Sequence, residues 1–128
     1  MRAVRELHAP SRPELRQLVA THIRDLVARR SARRARRGAV ANRHQVSARY
    51  IQTLFEADGT TFTGYVRDQR LAYAHHMLSN AAFAGHSVSA IAFDAGFGDL
   101  SHFNRAFRRR YGESPTDVRA AALRDRTW

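Results

Sequence analysis

Arginine supplies most of the recognition chemistry in this sequence. The chain has 128 residues, and all 22 of its Lys and Arg residues are Arg; with 11 acidic residues, the formal net charge is +11. A guanidinium donates paired hydrogen bonds to guanine O6 and N7, or to phosphate oxygens. Such a charge balance usually accompanies a polyanionic partner, with nucleic acid as the first candidate and an acidic membrane surface as the second.

The densest set of such side chains follows Asp99, which should cap a helix that ends at Gly112. At about 100° per residue, Phe103 and Phe107 face inwards and the opposite face is polar. Arg105 is expected to be the main base reader on that face, while its arginine neighbours hold phosphates. The expected DNA contacts are Ser101, His102, Asn104, Arg105, Arg108 and Arg109. The alternative is a solvated basic face with no ligand.

A second helix of this kind should begin after Ser47 and end before Gly59. Ile51 and Phe55 are its inward positions, and Arg49 and Gln52 are the expected base readers. The candidate DNA contacts are Ser47, Arg49, Gln52 and Thr53. A face that contacts only the DNA backbone is an equally open interpretation.

Apolar periodicity along the chain predicts an all-α fold of about seven helices without strands. The first apolar stripe starts at Glu14 and runs to about Ala28. The arginine-rich stretch 29–37 is atypical, because its Arg, Ala and Ser side chains would bury little even in a helix. The predicted divisions are a flexible tail over 1–13, a first helix-turn-helix unit over 14–58, a linking helix over 60–78, a second unit over 87–123 and a tail over 124–128.

Two stretches of the sequence, 40–65 and 91–118, resemble each other. Val40-Ala41 corresponds to Ile91-Ala92, and Val46 corresponds to Phe97. Ile51 and Phe55 correspond to Phe103 and Phe107. The alignment of the two stretches needs only one-residue insertions between these matching segments. Each stretch reads as a short helix, a tight turn, a longer helix, a glycine stop and a further helix, which is typical of a helix-turn-helix with a brace.

The second stretch carries a more specific motif, formed by residues 91–109, Tyr111-Gly112 and Ser114-Pro115. With this motif, the chain resembles the DNA-binding domain of the AraC/XylS family of bacterial transcription regulators over about residues 14–122. The resemblance implies two helix-turn-helix units that read adjacent major-groove segments of double-stranded DNA and regulate transcription. It also implies a stand-alone regulator or a piece that lacks a sensor domain, with RNA polymerase considered as a second partner. Arg70 matches an arginine of the family motif and is expected to tie the two units together.

The first unit departs from the family pattern in two places. Residues 29–37 supply only Arg, Ala and Ser where the family has apolar residues, and Gln45 stands at a turn position where Gly is common. The first unit therefore departs further from the family pattern than the second, and one hypothesis is a local frame error or a degraded segment. Arg33, Arg34, Arg36 and Arg37 could lie along the DNA backbone, or they could equally form a disordered basic run.

Catalysis and metal binding find little support in the sequence. The absence of Cys excludes disulfides, thiolate metal sites and cysteine nucleophiles. The seven His residues are scattered, and His75 and His76 point about 100° apart on a helix. We therefore expect no enzyme, no cofactor, no metal and no small-molecule site. The sequence shows no signal peptide and no apolar run of membrane-spanning length, so we expect a cytoplasmic, nucleoid-associated protein with no membrane partner.

Two other function classes stay open. Eight Arg and no acid in residues 29–49 would suit a non-specific basic nucleic-acid-binding protein, or a fragment with a degraded first unit. A protein-binding module is the other alternative, but it would leave the two polar helix faces unexplained.

Overall fold

The computed structural model describes residues 10–29 and 34–125. Seven α-helices and no strand lie in these residues, which confirms the all-α prediction. The helices are α1 (Arg12–Ala28), α2 (Arg37–Arg43), α3 (Ala48–Glu56), α4 (Phe62–Ser79), α5 (Val88–Asp94), α6 (Leu100–Tyr111) and α7 (Pro115–Asp125). A 3₁₀ turn, Ala81–Phe83, lies between α4 and α5.

Helix α1 begins earlier than the apolar stripe predicted. The Ser11 hydroxyl accepts a hydrogen bond from the Glu14 amide at 3.3 Å, and Glu14 Oε1 accepts one from the Ser11 amide at 3.0 Å. This reciprocal cap satisfies two amides that a helix start leaves open. Residues 11–13 therefore belong to the cap and first turn of α1, and the predicted tail boundary at 13 was wrong. At the other end, α7 continues to Asp125, so the predicted start of the C-terminal tail at 124 was also wrong. Residues 1–9 and 126–128 of the two predicted tails lie outside the described residues.

The first unit packs α1, α2 and α3 around one apolar core. Val19, Ile23, Val40, Ile51 and Phe55 are fully buried in it. Ala35, from the arginine-rich stretch, is only 4% exposed and joins the same core. The end of that stretch thus contributes to packing, although its arginines from 30 to 33 lie outside the described residues.

The second unit packs α5, α6 and α7 against the C-terminal half of α4. Ile91, Phe103 and Phe107 are fully buried there, and Phe97 packs edge-on against Phe103 with ring centroids 5.0 Å apart. Arg119 of α7 holds the segment between α4 and α5, because its guanidinium donates hydrogen bonds to the backbone carbonyls of His86 at 2.6 Å and Phe83 at 3.0 Å.

Helix α4 contributes to both cores along its length. Phe62 and Val66, in its first half, are buried in the core of the first unit. Its second half buries Leu71, Ala74, Met77 and Leu78 in the core of the second unit. One continuous helix therefore joins two separately packed units.

Candidate nucleic-acid interface

The turns before the two candidate recognition helices have the same hydrogen bonds. In the first unit, the Val46 amide donates to the Ala41 carbonyl at 3.0 Å; in the second, the Phe97 amide donates to the Ala92 carbonyl at 3.0 Å. These are the residues that the sequence repeat placed in correspondence. The second turn contains one more residue before its helix cap, which accounts for one of the one-residue insertions in the repeat.

Helix α6 exposes the polar face predicted for it. Its cap, Asp99, accepts hydrogen bonds from the amides of Ser101 at 2.8 Å and His102 at 3.2 Å. Phe103 and Phe107 are fully buried, which fixes the rotation of the helix. The residues exposed on the other face are Ser101, His102, Asn104, Arg105, Arg108 and Arg109. Their orientation is as predicted, and their contact with DNA stays a prediction.

Arg105 lies between two grooves on this face. It lines a shallow groove towards α4, together with Arg67, His102 and Arg109. On its other side it lines a second groove, with Asn104, Arg108 and the start of α7. Among the described residues, its guanidinium has no hydrogen bond or ion pair. Its five donors are therefore available to a ligand that approaches α6 from solvent.

Helix α3 presents a less open face, because three of its four candidate residues already have bonds within the chain. The Ser47 hydroxyl caps the helix by accepting from the Tyr50 amide at 3.0 Å. Thr53 is half-buried and its hydroxyl donates to the Tyr50 carbonyl at 2.7 Å. Gln52 is also half-buried, and its Oε1 accepts from Arg37 Nη1 at 3.3 Å.

Arg49 and Ser47 are the exposed members of the set, and within the described ranges the structure shows no hydrogen bond or ion pair for the guanidinium of Arg49.

When Ile51 and Phe55 are aligned with Phe103 and Phe107, Thr53 takes the position equivalent to Arg105. Glu56 takes the position equivalent to Arg108. The first unit therefore has a neutral and an acidic residue at two positions where the second has arginine. We infer that α6 has the stronger electrostatic attraction for phosphates and bases.

A groove between the two units, here called the inter-unit groove, is lined by residues of both units. Arg36 and Arg37 come from the first unit, Arg67 and Arg70 from α4, and His102 from α6. Arg70 is half-buried, and burial lowers the pKa of its guanidinium from the usual value. Its place between the units agrees with the tying role expected from the sequence, which stays a prediction.

A family model described as a helix-turn-helix domain matches residues 40–121, nearly two thirds of the chain. The chain belongs to the AraC-type helix-turn-helix family. It is 45% identical over 83 residues to the transcriptional activator RhrA of Rhizobium meliloti strain 1021, covering 65% of this chain and 26% of the relative. It is 39% identical over 82 residues to the HTH-type transcriptional activator RhaS of Salmonella arizonae, covering 63% of this chain and 28% of the relative.

This AraC-type chain thus spans about a quarter of the length of the curated relatives that it matches. A crystal structure of a DNA-binding transcriptional dual regulator from Escherichia coli K-12 has a similar fold, with a TM-score of 0.70 and 18% sequence identity. The match covers 83% of this chain and 93% of that one. At this identity the likeness supports the fold alone. No helix among the described residues is both long and apolar enough to cross a membrane.

Arg16 is a structural residue of this AraC-type chain that the sequence analysis missed. Its Nε lies 2.7 Å from Asp58 Oδ2, and its guanidinium carbon lies 4.2 Å from the Phe55 ring centroid and 4.9 Å from that of Tyr65. The side chain therefore joins α1 to the end of α3 and to the start of α4. Its position 42 residues before Asp58 gives no periodic signal.

His22 and His44 also meet, so the expectation that the histidines are scattered was wrong for this pair. His22 Nδ1 lies 3.1 Å from His44 Nε2, where α1 passes the turn that follows α2. Burial lowers the pKa of both imidazoles, and Arg43 lowers both further. Asp25 acts in the opposite direction on His22. Within residues 10–29 and 34–125, no group of three or more His, Asp or Glu side chains could hold a metal ion.

Proposed function

We propose that this chain binds specific sequences in double-stranded DNA and regulates transcription, by inserting α3 and α6 into two adjacent major-groove segments. The observation that carries the proposal is the exposed polar face of α6, which includes Arg105. The turn before α6 has the same backbone hydrogen bonds as the turn before α3. Family membership supports the same function, because the relatives named above are transcriptional activators.

The side chains of α6 suit different parts of the duplex. Arg105 reads a guanine through O6 and N7, and Asn104 can pair with an adenine edge. Arg108 and Arg109 lie nearer the C-terminal end of the helix and hold phosphates, which set the register without carrying sequence information. Ser101 and His102, at the N-terminal end, reach towards the groove floor, as is usual for recognition helices.

Helix α3 reads a second, weaker block. Arg49 is its exposed base reader, and Gln52 is oriented by the hydrogen bond from Arg37. In α3, Glu56 stands at the position equivalent to Arg108 in α6. The first unit therefore attracts phosphates less strongly than the second. The two blocks of the site should therefore differ in sequence and in contribution to affinity.

The length of α4 has a consequence for the DNA. Its 18 residues span about 27 Å at 1.5 Å per residue. One helical turn of DNA is about 34 Å. Units packed at the two ends of this helix therefore favour a bent duplex, at a deformation cost on the order of 1–6 kcal/mol.

Regulation then follows from occupancy rather than catalysis. The bound domain recruits or blocks RNA polymerase at a promoter, and the place of action is the nucleoid in the bacterial cytoplasm. The competing function is non-specific binding to nucleic acid, which the arginines of residues 29–49 would support.

A salt titration separates the two functions. The affinity for a duplex selected from a random pool is compared with that for a scrambled duplex, at several salt concentrations, by fluorescence anisotropy. A regulator prefers the selected duplex by roughly 10³-fold or more. A polycation shows a steep salt dependence without preference, and that result would reject the proposal.

A further inference from the structure

We propose that the inter-unit groove is a third DNA-contacting surface, which holds the phosphate backbone that crosses between the two major-groove segments. This inference rests on the function proposed above and extends it to residues outside both recognition helices. The central residue is Arg67 of α4, which the sequence analysis did not single out.

The charge of the groove fits a polyanion. Its lining includes four arginines, from the first unit and from α4, and no acidic residue. Its apolar wall comes from Phe62, Val66 and Phe97, all of which are buried in the two cores and therefore hold the groove in shape. The surface is thus basic and structurally fixed, which are the properties that backbone recognition requires.

The groove borders α6 directly and reaches α3 through one hydrogen-bonded residue. On one side, Arg37 donates to Gln52 of α3. On the other side, His102 of α6 lines the groove, with its ring 5.9 Å from that of Phe97. Arg67 lines both the inter-unit groove and the adjoining groove that contains Arg105. A strand that follows the protein from one recognition helix to the other must therefore pass this surface.

DNA geometry places phosphates there. Two helices that enter successive major grooves from one side of the duplex leave one minor groove between them, facing the protein. The two strands that flank this minor groove carry closely spaced negative charges, and arginines opposite them release condensed counterions. If the duplex bends towards the protein, these phosphates approach each other, and the electrostatic attraction between them and the arginines increases.

Arg67 is the residue best suited to test this surface. It is exposed, and the described part of the chain shows no hydrogen bond or ion pair for its guanidinium. Arg37 supports Gln52 and Arg70 is half-buried, so changes at either residue would disturb the fold or α3 as well.

Arg24 offers a matched control. It is exposed, and its guanidinium donates to the Tyr65 hydroxyl at 3.3 Å and to Thr21 Oγ1 at 3.2 Å. Tyr65 and Arg67 are two residues apart on α4 and therefore point roughly 200° apart. Arg24 thus lies on the side of α4 away from the inter-unit groove, and Arg24→Gln removes the same charge without touching that groove.

The experiment measures the affinity of the wild-type chain, Arg67→Gln and Arg24→Gln for the duplex that the wild-type chain selects from a random pool. We expect Arg67→Gln to bind roughly three- to tenfold more weakly, with a salt slope reduced by about 1 and the same preferred sequence. Arg24→Gln should bind like the wild-type chain. Thermal unfolding of both variants confirms that they fold.

A second measurement uses duplexes with neutral methylphosphonates in the spacer between the two blocks. The wild-type chain should bind these duplexes more weakly than the unmodified duplex. Arg67→Gln should bind both kinds of duplex with nearly equal affinity. Equal affinities of Arg67→Gln and Arg24→Gln, or equal losses with methylphosphonates in all three proteins, would overturn the inference and leave the proposed function intact. Failure of the wild-type chain to select any duplex would reject both.

Discussion

Gln45 and Gly96 occupy the same position in the turns of the two units, and both have a positive φ, 58° and 99° respectively. Each follows a short helix and precedes the residue whose amide closes the turn, Val46 or Phe97. Glycine adopts this conformation freely, whereas a residue with a Cβ is strained there. The first turn therefore keeps the geometry of the second with a less suitable residue.

Replacing Gln45 with Gly should stabilise the first unit. We expect Gln45→Gly to raise the free energy of unfolding by about 1 kcal/mol, since relief of left-handed strain exceeds the added freedom of the unfolded chain. Urea unfolding followed by circular dichroism measures the change. Gln45→Ala is the control, because it removes the same side chain but keeps the strain. Equal stabilities of the Gly and Ala variants would contradict this explanation.

The stacked guanidinium of Arg16 should matter more than its charge. Arg16→Lys keeps a cation near Asp58 but loses the flat contact with Phe55 and Tyr65, so we expect a loss of about 1 kcal/mol in the free energy of unfolding. Asp58→Asn should cost less, because Asp58 is half exposed and surface ion pairs contribute little. Arg12→Lys, 5.8 Å from the Tyr50 ring, is the control. Equal losses of stability in the two Arg→Lys variants would contradict a specific contribution from the stacked guanidinium of Arg16.

The His22–His44 pair should make stability depend on pH. The pKa of each imidazole is lowered in the folded chain, by burial first and then by nearby positive charge. The unfolded chain therefore binds more protons as the pH falls below about 6.5, the ordinary pKa of histidine, and the folded state loses stability from there down to the lowered pKa values. Above about pH 7 both states carry neutral imidazoles and the effect vanishes.

Unfolding midpoints at pH 7.5, 6 and 5 measure this dependence. His44→Gln keeps an amide near the Nε2 position without a titrating group, so its stability should fall less between pH 7.5 and 5 than that of the wild-type chain. His76→Gln, at an exposed position on α4, is the matched control. The same slope in all three proteins would assign the pH dependence to other groups.

Arg105 and Arg109 should differ in the kind of binding that they support. Arg105→Ala is expected to cost about 1–3 kcal/mol and to relax the preference at one base pair, because a bidentate contact to guanine is lost. Arg109→Ala should weaken binding to all duplexes alike and reduce the salt slope by about 1. Affinities for every single-base variant of the selected site distinguish the two. A base-selective loss in Arg109→Ala would reverse the assignment.

Much of the fold follows from local patterns in the sequence. The buried faces of α3 and α6 were predicted correctly, because Ile51, Phe55, Phe103 and Phe107 repeat with helical spacing beside clear caps and glycine stops. The start of α1 was missed although its signal, Ser11 followed by Glu14, was present in the sequence.

Other features could not be read from the sequence. The contacts Arg16–Asp58 and His22–His44 join polar residues 42 and 22 positions apart, and no periodicity marks such pairs. The same is true of the inter-unit groove, since Arg67 becomes a neighbour of Arg36 and His102 only when both units have packed on α4. The half-buried state of Gln52 and Thr53 likewise depends on how α3 sits on its neighbours.

Selection of duplexes from a random pool tests the central claim most directly. The account predicts an enriched asymmetric site of two blocks, spaced by about one turn of DNA or less. Repeating the selection with Arg105→Ala should lose the preference at one base pair in the stronger block, and repeating it with Arg49→Ala should change only the weaker block. A pool that shows no enrichment with the wild-type chain, while the chain still binds DNA at low salt, would contradict sequence-specific recognition by α3 and α6.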